Sequence, residues 1–548
     1  MRSRLSTLMT VLLAGCAVPV IASAQQAPVA GTTTPIHHLI VIFDENISFD
    51  HYFGTYPVAA NPEGEPAFTA LPGTPAINGL SGALLTNNPN AYNFSGNAAG
   101  VTNPFRLDRS QAATSDQNHN YGPEQQALHG GLIDAYPQYV GTAGSPGGGI
   151  GSILGSTGVT MGYYDGNTVT ALWNYAQHYA MSDNSYDTNF GPSTPGALNL
   201  ISGQLNGVIN NANGTSAVTA GGGGSTTDIG DADPAGDVCS TTTGEVFSMS
   251  GTTIGDLLNA AGVSWGFYTQ GFDLTVTNAN GTTGCSRSTT SLITNTKKAD
   301  YIPHHEPFQY YKSTANLTHA RPASVTSVGQ TDAANHQYDV HDFYDAVMAG
   351  NYPAVNFLKA PGYQDGHAGY SDPLDEQAWI VNVVNFVQQF SGDWEHTAIV
   401  LAYDDSDGWY DHQMPPIVNQ STSPADALTG TGACGNGANA LPGVNGVANA
   451  QGRCGYGIRM PLMVISPYAK SNYVDHTVTD QTSIIRFVED NWLNGKRIGS
   501  GSFDGIANSI ESMLNFNRPP NTNFYILDKT TGQPVGEQTA GTTGFQHR

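Results

Sequence analysis

Three short segments carry residue types whose spacing could do chemistry. In the first, Ile36 to Gly54 (IHHLIVIFDENISFDHYFG), residues 36–43 have the β-branched, near-continuous apolar composition of a strand buried on both faces. Asp44, Glu45 and Asn46 come next, at its carboxyl end, the edge where open α/β sheets bind ligands. The plainer reading is that this triplet ends a strand and caps the next segment of chain. In the second, Asp404-Asp405-Ser406-Asp407-Gly408-Trp409-Tyr410-Asp411-His412 succeeds another apolar run, 397–403. Adjacent carboxylates at a buried strand end repel unless a cation neutralises them. With Glu45 and Asn46 they would make an all-oxygen set with one neutral ligand, suited to a hard or borderline divalent ion. An acidic turn in water is the alternative. In the third, Asp187-Thr188-Asn189-Phe190-Gly191-Pro192-Ser193-Thr194-Pro195-Gly196, Pro195 suits a first helical turn and places Ser193 and Thr194 at a helix N-terminus. A hydroxyl there either faces free N–H groups in a phosphate cradle or simply caps the helix.

The elements that must position these segments alternate between strand and helix. Residues 168–179 and 254–261 read as helices, and Gly262 ends the second before a strand at 263–268. Asp372-Pro373 opens a further helix with Asp as N-cap. Strands at 397–403 and 462–466 and a closing helix at 482–492 complete the pattern. Such alternation implies an α/β fold, a mostly parallel central sheet covered by helices on both faces. Gly-rich or Ser/Thr-rich stretches at 141–158, 211–244 and 420–457 read as surface insertions into one catalytic domain spanning 25–548.

Charge narrows the partners. The 19 basic and 44 acidic side chains leave a net charge of −25, which argues against nucleic acid and anionic membrane surfaces. A small phosphorylated ligand stays open, because a metal or a few His residues can reverse the potential inside one pocket. Residues 1–24 read as an export signal: Arg2 and Arg4, an apolar run, then Ala22-Ser23-Ala24. Leu13-Ala14-Gly15-Cys16 overlaps it as a lipobox that would make Cys16 a lipid-anchor site, but the apolar run continues past Cys16, which favours simple cleavage. The other four cysteines imply two disulfides in an oxidising compartment. Cys239 with Cys285 and Cys434 with Cys454 is the expected pairing, because each pair brackets a Gly-rich or Thr-rich excursion.

Taken in order, Asp44-Glu45-Asn46-x-Ser48-Phe49-Asp50-His51-Tyr52-Phe53-Gly54, Ser182-Asp183-Asn184, Gly191-Pro192-Ser193-Thr194-Pro195, Ser466-Pro467-Tyr468-Ala469-Lys470 and Val474-Asp475-His476-Thr477 resemble the bacterial phosphoesterase family of acid phosphatases and phospholipases C. The resemblance implies an alkaline phosphatase-like three-layer α/β/α sandwich. Many phospholipase members carry Gln at the position of Asp44, and the larger ones carry further β-rich modules after the position of Trp492, so the acid phosphatase branch fits better. The resemblance makes Ser193 a nucleophile forming a phosphoserine, with Thr194 as the fallback. It has Glu45, Asn46, Asp404, Asp405 and Ser193 hold one divalent metal ion, Asn46 alternatively donating to phosphate. His119, His304, His305 and His367 would surround the phosphate, a protonated imidazole serving the leaving alkoxide and favouring acid pH. His305 and His367 are the first choices among them. His37, His38, His51 and His476 read as structural.

Overall fold

The computed structural model describes residues 31–93, 100–142, 154–430, 433–434 and 441–538. The expected signal at 1–24, with Cys16, and parts of the insertions at 141–158 and 420–457 lie outside them.

Eight strands form the central sheet: β1 (His38–Asp44), β2 (Ala180–Ser182), β3 (Trp265–Thr269), β4 (Gln337–Tyr338), β5 (Val355–Lys359), β6 (Thr397–Tyr403), β7 (Leu462–Ile465) and β8 (Tyr473–Asp475). Their order across the sheet is β4-β3-β5-β1-β6-β7-β2-β8. Only β7 runs antiparallel to its neighbours; every other pairing is parallel. The helices that bear on the sheet and the site include α1 (Phe49–Phe53), α2 (Thr170–His178), α3 (Ser193–Ser202), α4 (Ile254–Ala261), α5 (Val340–Met348), α6 (Pro373–Phe390) and α7 (Thr482–Trp492). Connections stepping toward β8 carry α2, α5 and α6, whereas the one stepping back from β2 to β3 carries α3 and α4. Right-handed crossovers put the two sets on opposite faces, which yields the α/β/α sandwich.

Local signals explain most element bounds. Thr253 and Asp256 form a capping box on α4, and Gly262 closes it in the left-handed region (φ 69°). Asp372 caps α6, its side chain accepting from the N–H groups of Leu374 and Asp375. All seven residues of β1 and of β6 are buried, as continuous apolar runs covered by helices on both faces should be. Both expected disulfides form. The stretch at 211–244 departs from the sequence reading of a peripheral insertion. It contains short strands and delivers Asp231 to the amino end of α3, where the Thr194 N–H donates to its carboxylate (2.9 Å).

Candidate active site

β1 and β6 are adjacent and parallel, with Asp44 in register with Tyr403, so both acid-rich turns leave the sheet at the same edge. The turns interlock: the Ile47 N–H donates to the Asp405 carbonyl (2.8 Å) and the Asn46 N–H to Asp404 Oδ1 (2.9 Å). Asn46 and Asp407 take left-handed backbone (φ 63° and 53°), which Asn and Asp tolerate better than most residues. The first turn of α3 closes the third side. A Cβ at position 196 would land on the Asp404 carbonyl, so only glycine allows this approach. Gly196→Ala is expected to push α3 away from β6, costing about 1–3 kcal/mol of stability and most of the turnover. Unfolding midpoint and kcat, measured together, check this, and unchanged activity would show that the close approach is dispensable. Glu124 ties two of the segments together, accepting from the Gly191 N–H (3.0 Å) and the Ser406 hydroxyl (2.5 Å).

The Ser193 hydroxyl stands at the centre, 2.9 Å from Glu45 Oε2, 3.2 Å from Asp405 Oδ2 and 3.4 Å from Asn46 Oδ1. Glu45, Asn46, Asp404 and Asp405 are all buried with it. One atom of the Asn46 amide lies 2.9 Å from Glu45 Oε2, 3.0 Å from Asp404 Oδ1 and 3.1 Å from Asp405 Oδ2, and the other lies 3.1 Å from His367 Nε2. His367 decides which is which. Its Nδ1 is 2.6 Å from the Ala368 carbonyl, an acceptor, so Nδ1 carries the proton. Burial lowers the His367 pKa to about 4, so the ring is neutral at higher pH and Nε2 accepts from the Asn46 NH2. The amide oxygen then faces three carboxyl groups, which in their ionised state repel it and one another unless a cation sits among the oxygens. Burial and the neighbouring acids push Asp404 well above the usual carboxylate range. Burial likewise pushes Asp405 up. Glu45, despite burial, is held low by the Lys359 ammonium against it. The donor set therefore fits one divalent ion held by Glu45, Asn46, Asp404, Asp405 and Ser193, all oxygen ligands.

The histidines occupy different stations around this centre. His305 Nδ1 is 3.0 Å from Glu45 Oε1. His119 Nδ1 is 3.2 Å from Asp407 Oδ1, and the ring meets His367 edge-on. His304 packs edge-on against His305, with Nδ1 3.4 Å from Asp233. Their charge states differ from the expectation that put His305 and His367 first as cations. Burial lowers both. His119 is raised, because Asp405 and Asp407 outweigh desolvation, and His304 is raised against desolvation by Asp233 and Asp231. Thr194 turns away, its hydroxyl donating to Asp231 (3.0 Å). His51 stacks on Trp409 (3.9 Å), and His476 pairs with Asp183 (2.7 Å).

Several neighbours had no assignment from sequence. Lys359, at the end of β5, contacts Glu45 Oε1 and is buried. Asp365 lies 4.0 Å from His305 Nδ1, and the Glu45 N–H donates to its carbonyl (2.8 Å). The Lys298 ammonium sits 3.6 Å above the Tyr370 ring, which stacks in turn on His367. Lys359 ends an apolar strand and stands eight residues before His367, which would have singled out the residue but not its partner.

Buried acids around the site set the pH response of the fold. Burial raises Glu124 and Glu376 to about 7 and Asp372 to about 8. Each binds its proton more tightly folded than unfolded, so stability is greatest at low pH and is lost as pH rises from the unfolded value toward the folded one. Glu124 alone would account for about 3 kcal/mol across pH 4.5 to 7. The metal-free protein is expected to melt at a higher temperature at pH 5 than at pH 8. A melting temperature that rises over this range would contradict the burial argument.

A parallel sheet edge that gathers buried carboxylates, a helix N-terminus with a serine and several histidines is an arrangement suited to hydrolysis of phosphate esters. The phosphoesterase family model matches residues 36–493, and the chain belongs to that family, hydrolases acting on phosphate esters. It is 25% identical over 519 residues to phospholipase C A of Mycobacterium tuberculosis, covering 92% of this chain and 82% of the relative. It is 24% identical over 513 residues to the non-hemolytic phospholipase C of Pseudomonas aeruginosa, covering 91% of this chain and 60% of that longer protein. Among solved structures, murine ectonucleotide pyrophosphatase / phosphodiesterase 5 aligns over 63% of this chain and 95% of its own, with 11% identity and a TM-score of 0.29. Among the described residues no helix is long and apolar enough to cross a membrane.

Proposed function

We propose that this is an exported acid phosphatase that hydrolyses phosphate monoesters through a phosphoserine at Ser193. The observation that carries the reading is the Ser193 hydroxyl at the amino end of α3, within 3.4 Å of Glu45, Asn46 and Asp405. A divalent ion held by these oxygens would lower the hydroxyl pKa and offset charge on the phosphoryl group. Ser193 Oγ gives up its proton to a carboxylate it already faces, Glu45 or Asp405, and forms the new P–O bond while the ester P–O bond breaks. The departing alkoxide takes a proton from an imidazolium, the state in which His119 is held. Water then cleaves the phosphoserine, releasing inorganic phosphate and returning the hydroxyl. The Ser193 N–H in the first turn of α3 and the cations His304, Lys298 and Lys359 oppose the negative charge of a monoester. Two disulfides support export.

The relatives' names favour a second reading, phospholipase C action on phosphatidylcholine-like diesters by nearly the same residues. Turnover of p-nitrophenyl phosphate and p-nitrophenyl phosphorylcholine, compared at pH 5 and 7, separates the two. The monoester is expected to win by about tenfold or more in kcat/KM, a difference of about 1.4 kcal/mol in transition-state binding. A preference for the choline diester would replace the first reading with the second.

A further inference from the structure

At the sheet edge opposite Ser193, the amino ends of β1 and β6 lie side by side, His38 in register with Thr397. The His37 N–H donates to the His396 carbonyl (2.8 Å). This pairing gathers three imidazoles around one carboxylate. His37 Nδ1 is 3.3 Å and His38 Nε2 3.5 Å from Asp393 Oδ2, and His396 Nδ1 is 2.6 Å from Oδ1. Ligand-capable atoms of His37, Asp393 and His396 all fall within 4.8 Å of one another. The length of β1, about 20 Å, separates this cluster from Glu45, so it is no part of the phosphoester site.

His38 shows why the cluster is more than an ordinary ion pair. Its ring is 1% exposed and stacks on Tyr352 (3.8 Å). Nδ1 lies 2.9 Å from the Pro353 carbonyl, which can only accept, so Nδ1 carries the proton. In the neutral ring, the lone pair of Nε2 therefore faces the Asp393 carboxylate, buried and without a hydrogen bond among the described residues. Lone pair against carboxylate repels unless a cation lies between them. An imidazole whose far N–H is held by a backbone carbonyl is also the arrangement typical of a metal ligand. The side chains of His37, Asp393 and His396 stay 37%, 21% and 31% exposed, which leaves the open side reachable by a solvated ion.

We propose that His37, His38, Asp393 and His396 form a second divalent-metal site, selective for Zn2+ or Ni2+. Three nitrogens and one carboxylate suit borderline ions, whereas the oxygen set around Ser193 suits harder ones. Binding exchanges the Nδ1 contacts of His37 and His396 with Asp393 for bonds to the ion, and protons held on those nitrogens leave to solvent. The ion would clamp the amino ends of β1 and β6 together and stabilise the fold by mass action.

The test strips the full-length protein with chelator and titrates it with Zn2+ by calorimetry, and with Co2+ by visible absorption. Three proteins are compared: wild type, His37→Ala/His396→Ala and Asp404→Asn/Asp405→Asn. The histidine double variant is expected to bind its Zn2+ equivalent at least 100-fold more weakly and to lose the nitrogen-ligand Co2+ bands. Its turnover of p-nitrophenyl phosphate should match wild type, which also shows that it folds. Asp404→Asn/Asp405→Asn should retain that equivalent and those bands. Undiminished Zn2+ affinity in the histidine variant, or no Zn2+ uptake by the aspartate variant, would overturn the proposal.

Discussion

Replacing Ser193 by Ala is expected to abolish covalent phosphate and to lower kcat by about 10⁴-fold or more, as loss of a covalent nucleophile does elsewhere. The substitution removes the hydroxyl that reaches both Glu45 Oε2 and Asp405 Oδ2 and leaves the three-sided frame of β1, β6 and α3 in place. Ser193 Oγ holds no helix N–H, because Pro192 precedes it as N-cap and makes no side-chain cap bond. The fold should therefore survive with little change in melting temperature. Thr194→Val is the matched control: its hydroxyl serves Asp231, so phosphoserine formation at position 193 should persist. Acid quench followed by peptide mass spectrometry reads both. Phosphoenzyme in Ser193→Ala, or its loss in Thr194→Val, would move the nucleophile to position 194 or elsewhere.

The second large effect concerns charge. Asp405→Asn is expected to reduce turnover by about 10³-fold, the scale of removing a key electrostatic group, while stabilising the metal-free protein at pH 7 by about 1–3 kcal/mol. The two signs come from one cause. Asp405 is wholly buried beside Glu45 and Asp404, and its charge is useful only when a cation shares the cage. Asn retains the oxygen that accepts from the Asp407 N–H (2.7 Å), so the turn is kept and the repulsion is removed. In wild type, chelation should abolish activity and lower the melting temperature, and a divalent ion should restore both. If Asp405→Asn destabilised the metal-free protein, the carboxylate would be a structural acceptor rather than part of an ion cage. Functional sites commonly trade stability for activity in this way.

Much of the frame was legible in the sequence because its signals are local. Apolar runs bounded by polar residues set β1 and β6, and the Thr253 to Asp256 capping box and Gly262 set α4. Asp372-Pro373 opened α6 for the same reason, the cap and the ring acting within three residues. Glu45, Asn46, Asp404, Asp405 and Ser193 were visible because polar groups at buried strand ends and at a helix start need an explanation wherever they occur. The disulfide pairing could be read from which loops most needed closing.

What the sequence could not carry was convergence and charge state. Lys359 reaches Glu45 across 314 positions, and no local pattern marks that partner. Their meeting depends on β1 pairing in parallel with both β5 and β6. Asp231 arrives from an insertion that reads as surface, and Glu124 from a short helix, Tyr121–Ala127, that no sequence signal singled out. The choice between Ser193 and Thr194 rested on a rotation of one helical residue toward Glu45 or toward Asp231. Likewise all four site histidines look alike in sequence, and only burial and the nearby acids divide them, lowering His305 and His367 and raising His119 and His304. Residue type and local spacing fixed which groups could act. Strand order and burial decided which of them meet and what charge they bear, because proximity and desolvation are properties of the packed chain alone.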